Sequence, residues 1–132
     1  MDHETALINA FILRSKRDRY TVMLRNPKRR TKILNKLHHL KDLDPRFLVE
    51  ISPSDHSADT IAALLVKRGA STQCHVIGGG RELDGRDLSL VEALDQVVSF
   101  GYGTLISCIP GRLGFFEGEE LKDRFILERK TA

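Results

Sequence analysis

Apolar side chains recur at helical spacing through the first third of the chain. The stripe from Ala6 to Ile12 predicts an amphipathic helix, which Asp2 or Thr5 can cap. A second helix is predicted from Pro27 to Leu43, because Asn26 is a good cap and a proline in the first helical position needs no donor.

After Pro45 the apolar residues fall into shorter runs. Five of these runs predict β-strands, at Phe47–Ile51, Gln73–Ile77, Thr104–Ile109, Leu113–Glu117 and Arg124–Arg129. Two helices are predicted between the first three strands, one over Ala58–Arg68 and one from Leu90 after a Ser89 cap. Asp84–Gly85 lies ahead of the second helix and predicts a hairpin turn.

The order of these elements predicts a single α/β domain over residues 1–132. Strands that alternate with helices favour right-handed crossovers, so the first three strands are expected to be parallel. The helix-free tail predicts antiparallel closing strands, which gives a mixed sheet of about five strands. Two basic N-terminal helices (residues 1–45) are expected to pack on the α/β body (residues 46–132).

Charge is distributed unevenly along the chain. Residues 1–46 hold 12 Lys/Arg and 5 Asp/Glu, whereas the remainder holds 9 Lys/Arg and 13 Asp/Glu. A basic segment of this kind predicts contact with nucleic acid or with an acidic protein partner. The candidate nucleic-acid residues are Arg14, Lys16, Arg17, Arg19, Arg25, Lys28, Arg29, Arg30 and Lys32. The alternative is that these helices dock on the acidic body through their charges.

A second candidate site follows from the parallel assignment, since the carboxyl ends of parallel strands meet at one end of a sheet. Capped helix starts, glycines and arginines suit an anion such as phosphate or carboxylate. The ligand-binding residues predicted there are Ser54, Asp55, Ser57, Gly78, Gly79, Gly80, Arg81 and Arg112. The alternative is that the glycines only form a tight turn, that the serines are only helix caps and that the arginines are solvated.

Catalytic chemistry has weak candidates. Cys108 ends a predicted strand, and His56 at a neighbouring strand end is the base that a reactive thiol would need; an inert buried cysteine is the alternative. The sequence predicts no metal site and no cofactor. The closing strand Arg124–Arg129 is expected to be an exposed edge that can pair across a homodimer.

Cellular location is predicted from cysteine use and from the N-terminus. Two cysteines without a secretory signal favour the reducing cytoplasm. Asp2 and Glu4 occupy the place of a basic signal-peptide n-region, and no apolar run approaches a membrane span.

These patterns together favour a small cytoplasmic binding or accessory module whose basic helices contact nucleic acid or an acidic partner. The alternative is a small enzyme or ligand sensor that binds an anionic metabolite at the strand ends.

Overall fold

The computed structural model describes residues 2–130 of the chain. Its helices are α1 (His3–Phe11), α2 (Arg17–Arg25), α3 (Pro27–Leu34), α4 (Ala58–Lys67) and α5 (Leu90–Val97). Its strands are β1 (Leu48–Glu50), β2 (Gln73–Gly78), β3 (Asp87–Ser89), β4 (Thr104–Ile109), β5 (Leu113–Glu117) and β6 (Arg124–Glu128).

Four of the five helices in the described chain begin at a side-chain cap, and α2 begins without one. Asp2 accepts a hydrogen bond from the Thr5 backbone N–H at 2.7 Å, and Asn26 caps α3 with Pro27 behind it. Ser89 accepts from the backbone N–H three residues on, at 3.1 Å, and starts α5. None of the helices in the described part of the chain has the length and apolar character of a membrane span.

The strands form one sheet in the order β1-β6-β5-β4-β2-β3, and every neighbouring pair is antiparallel. The prediction of three parallel strands is therefore wrong. Counted through the sheet, β1 and β2 run in the same direction but are four strand positions apart, about 19 Å. The third strand of the prediction, β4, pairs with β2 and runs against it.

Two physical features account for this error. The sequence places the chain from residue 81 to 88 in a turn, but Asp87–Ser89 forms the short strand β3 and pairs antiparallel with β2. That extra reversal means that the α5 crossover delivers β4 parallel in direction to β3 and antiparallel to β2. The second feature is burial of the sheet on both faces, which produces continuous apolar runs. Such runs are typical of parallel sheets, but an antiparallel sheet that is covered on both faces has them as well.

Side chains that alternate along each strand divide the core between the two faces. Val76, Ile106 and Phe115 pack with α4 and α5 on one face. Their strand neighbours Ile77 and Leu105, with others, pack with α1, α2 and α3 on the opposite face. The basic N-terminal helices are thus attached to the sheet through apolar contacts.

Two further sequence predictions need correction. The second helix ends at Leu34 instead of Leu43, and a 3-10 turn over Leu37–His39 follows it and buries Leu37. The closing strand β6 is not an edge, because it lies between β1 and β5. The predicted homodimer stays a prediction, but the closing strand offers it no free backbone edge.

Candidate functional site

The predicted strand-end residues do not converge on one site. The segments after β1 and β2 leave the same end of the sheet, whereas Arg112 lies in the β4–β5 turn at the opposite end. Ser57 caps α4, which packs on the face opposite α3, and Ser54 and Asp55 lie in the 3-10 turn just before it. Of the eight predicted residues, the glycine run 78–80 and Arg81 share a cleft and the others lie elsewhere. The predicted eight-residue anion site therefore has no geometric basis in this fold.

The cleft that holds the glycine run has a volume of about 620 Å³. One wall comes from α3 and the turn after it, and the others come from the loop that follows β2 and the loop that precedes the neighbouring strand β4. We call this the glycine cleft; its lining residues are Thr31, Leu34, Asn35, His38, Gly78, Gly79, Gly80, Arg81, Asp84, Gly101, Tyr102 and Gly103.

The glycines of this cleft serve two different purposes. A Cβ on Gly78 would lie 2.4 Å from the Gly103 carbonyl oxygen, and one on Gly103 would lie 2.1 Å from the His38 backbone nitrogen. Close backbone packing therefore requires those two glycines. Gly80 (φ +98°) and Gly101 (φ +74°) would place a Cβ within 4 Å of no atom in the described chain. Their left-handed backbone explains the glycine, and the space beside them is open.

The charged side chains that line the glycine cleft are Arg81 and Asp84. Asp84 is its one acidic lining residue, and its two oxygens accept hydrogen bonds at 2.8 Å from Arg30 and at 2.8 Å from the Gly78 backbone N–H. Arg81 is exposed and forms no hydrogen bond or ion pair with any residue from 2 to 130. The Asp84 carboxylate is thus held by donors of the protein, whereas the guanidinium of Arg81 has no partner in the described chain.

Two exposed aromatic rings stand beside the cleft, on the loop between α5 and β4. Phe100 is 61% exposed and Tyr102 is 51% exposed, and their rings stack with centroids 6.4 Å apart at 17°. The loop is anchored at Ser99 (φ +74°), whose backbone N–H reaches the buried Glu117 carboxylate at 3.4 Å. The hydroxyl of Thr104 donates to the Tyr102 carbonyl at 3.0 Å. An anchored loop thus presents both rings to solvent.

Beyond α3 the helical layer carries a cluster of cations. Two adjoining hollows of about 440 and 350 Å³ lie between α2, α3 and the turn after α3. We define the basic surface as the five cations that line them, which are Arg19, Arg29, Lys32, Lys36 and Lys41. Within residues 2–130 none of the five forms an ion pair, and two carboxylates, Asp18 and Asp42, lie among them.

The other predicted nucleic-acid residues lie outside the basic surface, and they differ in whether they form hydrogen bonds or ion pairs within the protein. Arg17 donates to the Ile12 carbonyl at 2.9 Å, and Arg25 reaches the Thr5 hydroxyl at 3.4 Å. Arg14, Lys16 and Lys28 form no ion pair with a described residue and lie outside the basic surface. Arg30 alone of the nine predicted residues docks on the acidic body.

Arg30 joins three segments of the chain. Its guanidinium binds Glu4 of α1 through two bonds of 2.7 and 2.9 Å and Asp84 of the β2–β3 loop through two bonds of 2.8 Å. Its side chain is only 18% exposed. Burial opposes ionisation of Glu4, but hydrogen bonds from His75 and Arg30 outweigh it and lower the pKa of Glu4 to about 2. This ion-pair network fixes α3 beside the glycine cleft.

His75 extends the network along β2. Its Nε2 lies 2.7 Å from Glu4 and its Nδ1 lies 2.7 Å from Asp87, so both ring nitrogens face carboxylates. The hydrogen bond to Glu4 raises the pKa of His75 against the opposing effect of burial. His3 stacks on this ring and binds the enclosed hydroxyl of Ser107 at 2.7 Å. These contacts fasten α1 to the sheet.

The structure does not bring the weak catalytic candidates together. Cys108 is buried near the far end of β4, and burial raises the pKa of its thiol to about 12. His56 follows β1 at the other end of the sheet, where it contacts the Ile51 carbonyl and Arg124. Burial likewise raises the pKa of Cys74 to about 11, and both cysteines are free thiols.

Sequence reasoning missed several residues of the cleft and the structural role of Arg30 beside it. Tyr102 stands between two glycines directly before a strand, which is a local signal for an aromatic on a tight loop. Arg30 precedes Ile33 by three residues and Leu37 by seven, so helical periodicity places it on the buried face. The wall formed by Asn35 and His38 has no signal of its own, because the end of α3 depends on tertiary contacts.

Comparison with known proteins gave no match: no family model, no curated protein and no solved structure is significantly similar to the chain.

Proposed function

We propose that this protein is a nucleic-acid-binding module that contacts the phosphate backbone through the basic surface. The observation that carries the proposal is the set of five cations, among them Arg19, Lys32 and Lys36, that line adjoining hollows and form no ion pair with any residue from 2 to 130. Because the same helices attach to the sheet through apolar side chains, the fold does not use these charges to hold itself together.

The expected interaction is electrostatic and independent of base sequence. Each neutralised phosphate releases counterions, so affinity falls with salt at a slope of about −0.7 per contact on single strands. If all five cations engage phosphates, the slope is about −3.5, and affinity falls about 100-fold between 50 and 200 mM salt.

The test is fluorescence anisotropy of a labelled single-stranded oligonucleotide at these two salt concentrations. The variant Lys32→Gln/Lys36→Gln removes two cations of the basic surface. The control Lys67→Gln/Arg112→Gln removes two exposed cations at distant positions that also have no ion pair within residues 2–130.

We expect the Lys32/Lys36 variant to bind about 10-fold more weakly at 50 mM salt and to lose about 1.4 from the salt slope. The control should match the unmodified protein. Absence of binding at 50 mM salt would overturn the proposal. Equal weakening by the control, or complete displacement of the oligonucleotide by low concentrations of poly-glutamate, would also overturn it, the latter in favour of an acidic protein partner.

We also place this module in the cytoplasm. Two buried free thiols, Cys74 and Cys108, suit a reducing compartment. A fluorescent fusion followed by fractionation tests the location, and recovery of the protein outside the cytoplasmic fraction contradicts it.

A further inference from the structure

We propose that the glycine cleft takes one unpaired nucleotide, with its phosphate at Arg81 and its base against Tyr102, so that the protein selects single strands over duplexes. The inference rests on the proposed function, because the strand is held in part by the basic surface. It adds a second contact region with its own chemistry, and each part of a nucleotide has a matching feature there.

The phosphate end of the site is built from Arg81 and an unobstructed backbone. Arg81 has no partner in the described chain, and a guanidinium fork suits phosphate oxygens. Next to it, Gly80 carries no side chain in a position where a Cβ would meet nothing within 4 Å, so a ligand can approach the main chain. Repulsion of an anion by Asp84 is reduced, since Arg30 binds both of its oxygens.

The base end is the aromatic pair. Tyr102 lines the cleft and Phe100 stacks on it, so the pair offers a larger aromatic surface than a single ring. Both rings are more than half exposed, in a chain that buries most of its other large apolar side chains. Single-stranded binders combine positive charge along the backbone path with exposed aromatics on which bases stack without sequence preference. Here Arg81 and the basic surface supply the charge.

Helix α3 connects the cleft with the basic surface. Thr31 and Asn35 line the cleft, and the next residue after each, Lys32 and Lys36, belongs to the basic surface. Within α3, Thr31 and Lys32 differ by about 100° around the helix, and Asn35 and Lys36 follow directly after its end, so a strand that crosses α3 meets both regions. A cleft of about 620 Å³ is within the range of sites for ligands the size of one nucleotide.

Selection of single strands follows from the position of the rings. In a duplex each base is stacked and paired, and it reaches Tyr102 only if it is flipped out at an energetic cost. The cations of the basic surface contact backbone phosphates in either form. The aromatic pair should therefore affect single strands alone.

The test compares affinities for a single-stranded oligonucleotide and for the duplex of the same sequence at 50 mM salt. We expect the unmodified protein to favour the single strand at least about 10-fold. Tyr102→Ala should weaken single-strand binding at least about fivefold and leave duplex binding within twofold, whereas Tyr102→Phe keeps single-strand affinity within about twofold. Circular dichroism checks that each variant is folded, and Phe100→Ala is the second variant should Tyr102→Ala unfold.

The outcomes separate the two proposals. If the Lys32/Lys36 variant loses binding while Tyr102→Ala keeps the unmodified ratio of single-strand to duplex affinity, the inference fails and the proposed function stands. If the protein binds neither form, the proposed function fails. In that case an NMR titration with adenosine monophosphate tests the inference separately. The inference predicts shifts at the Gly80 and Gly101 amides, and their absence would overturn it. Self-association of the unmodified protein in sedimentation experiments, if Phe100→Ala or Tyr102→Ala abolishes it, would show that the rings are a dimer contact and would also overturn the inference.

Discussion

Replacement of Arg30 by glutamine tests whether the cations of the N-terminal helices have separate structural and binding roles. The side chain makes four bonds to the Glu4 and Asp84 carboxylates and one of 3.1 Å to the Leu24 carbonyl. Arg30→Gln removes the positive charge that both carboxylates share. Arg29→Gln is the matched control, because Arg29 is exposed and has no ion pair in the described chain.

The expected loss of stability follows from the burial of the two carboxylates that Arg30→Gln leaves without their cation. The Glu4 side chain is 20% exposed and that of Asp84 is 16% exposed. Removal of one partner from a fully buried ion pair costs about 3–5 kcal/mol, and partial exposure reduces this to about 2–4 kcal/mol at pH 7. For a chain of 132 residues the melting temperature should fall by roughly 6–15 °C. Arg29→Gln should stay within about 0.5 kcal/mol.

The pH dependence supplies an independent check on this explanation. Glu4 has a pKa of about 2 in the folded protein against an ordinary value near 4.5. A lowered carboxyl pKa stabilises the fold fully above the ordinary value, and that stability is lost as the pH falls toward 2. Without Arg30 the pKa of Glu4 is lowered less. The difference between the two proteins should therefore be largest above pH 5 and shrink at lower pH.

The assay is urea unfolding followed by far-ultraviolet circular dichroism, because the chain contains no tryptophan. A double-mutant cycle with Glu4→Gln measures the pairing directly, and we expect a coupling of about 1–3 kcal/mol. Equal unfolding free energies for Arg30→Gln and the unmodified protein, or strictly additive effects in the cycle, would refute the ion-pair network.

Three further outcomes are expected. His75→Gln should lower stability more at pH 6 than at pH 9, because the hydrogen bond to Glu4 raises the folded pKa of His75 and its stabilisation is lost as the pH rises through that value. Equal losses at both pH values would contradict this. Both buried cysteines should resist a thiol reagent until urea unfolds the protein, since their raised pKa values leave almost no thiolate; rapid labelling of the native state would be inconsistent. Gly103→Ala should cost about 3 kcal/mol in urea unfolding, because its Cβ would overlap the His38 backbone, whereas Gly101→Ala should cost about 1–2 kcal/mol from its positive φ alone; equal costs would argue against the packing.

The positions of five of the six strands in the described chain could be predicted, whereas the relative directions of the first three predicted strands could not. Each apolar run marks a strand whose two faces are covered, such as Thr104–Ile109, but burial is the same for either direction of the chain. Direction depended on β3, which is three residues long and alternates too briefly to be read as a strand. The residues around β3 carry a turn signal at Asp84–Gly85 and a helix cap at Ser89, and these signals predict a turn and a helix start instead of a strand.

The candidate site shows the same division between local and tertiary information. The glycine run and Arg81 are visible in the sequence, and the structure keeps them together. Tyr102 and the α3 wall join them only because Gly103 lets β4 pass against the turn at His38, a contact between segments about 65 residues apart. Charge patterns do not show which cations form ion pairs, so the sequence predicts Arg30 as one of the nucleic-acid-binding cations.

The most direct measurement is an amide NMR titration of the whole chain with a single-stranded oligonucleotide at low salt. The proposed function and the glycine-cleft inference together predict shifts along the basic surface, around Lys32 and Lys36, and in the cleft at Gly80, Arg81 and the loop 101–103. The α4 face should remain unchanged. No shift at 50 mM salt, or shifts that cluster on α4 and α5, would contradict a nucleic-acid site on the α3 side of this fold.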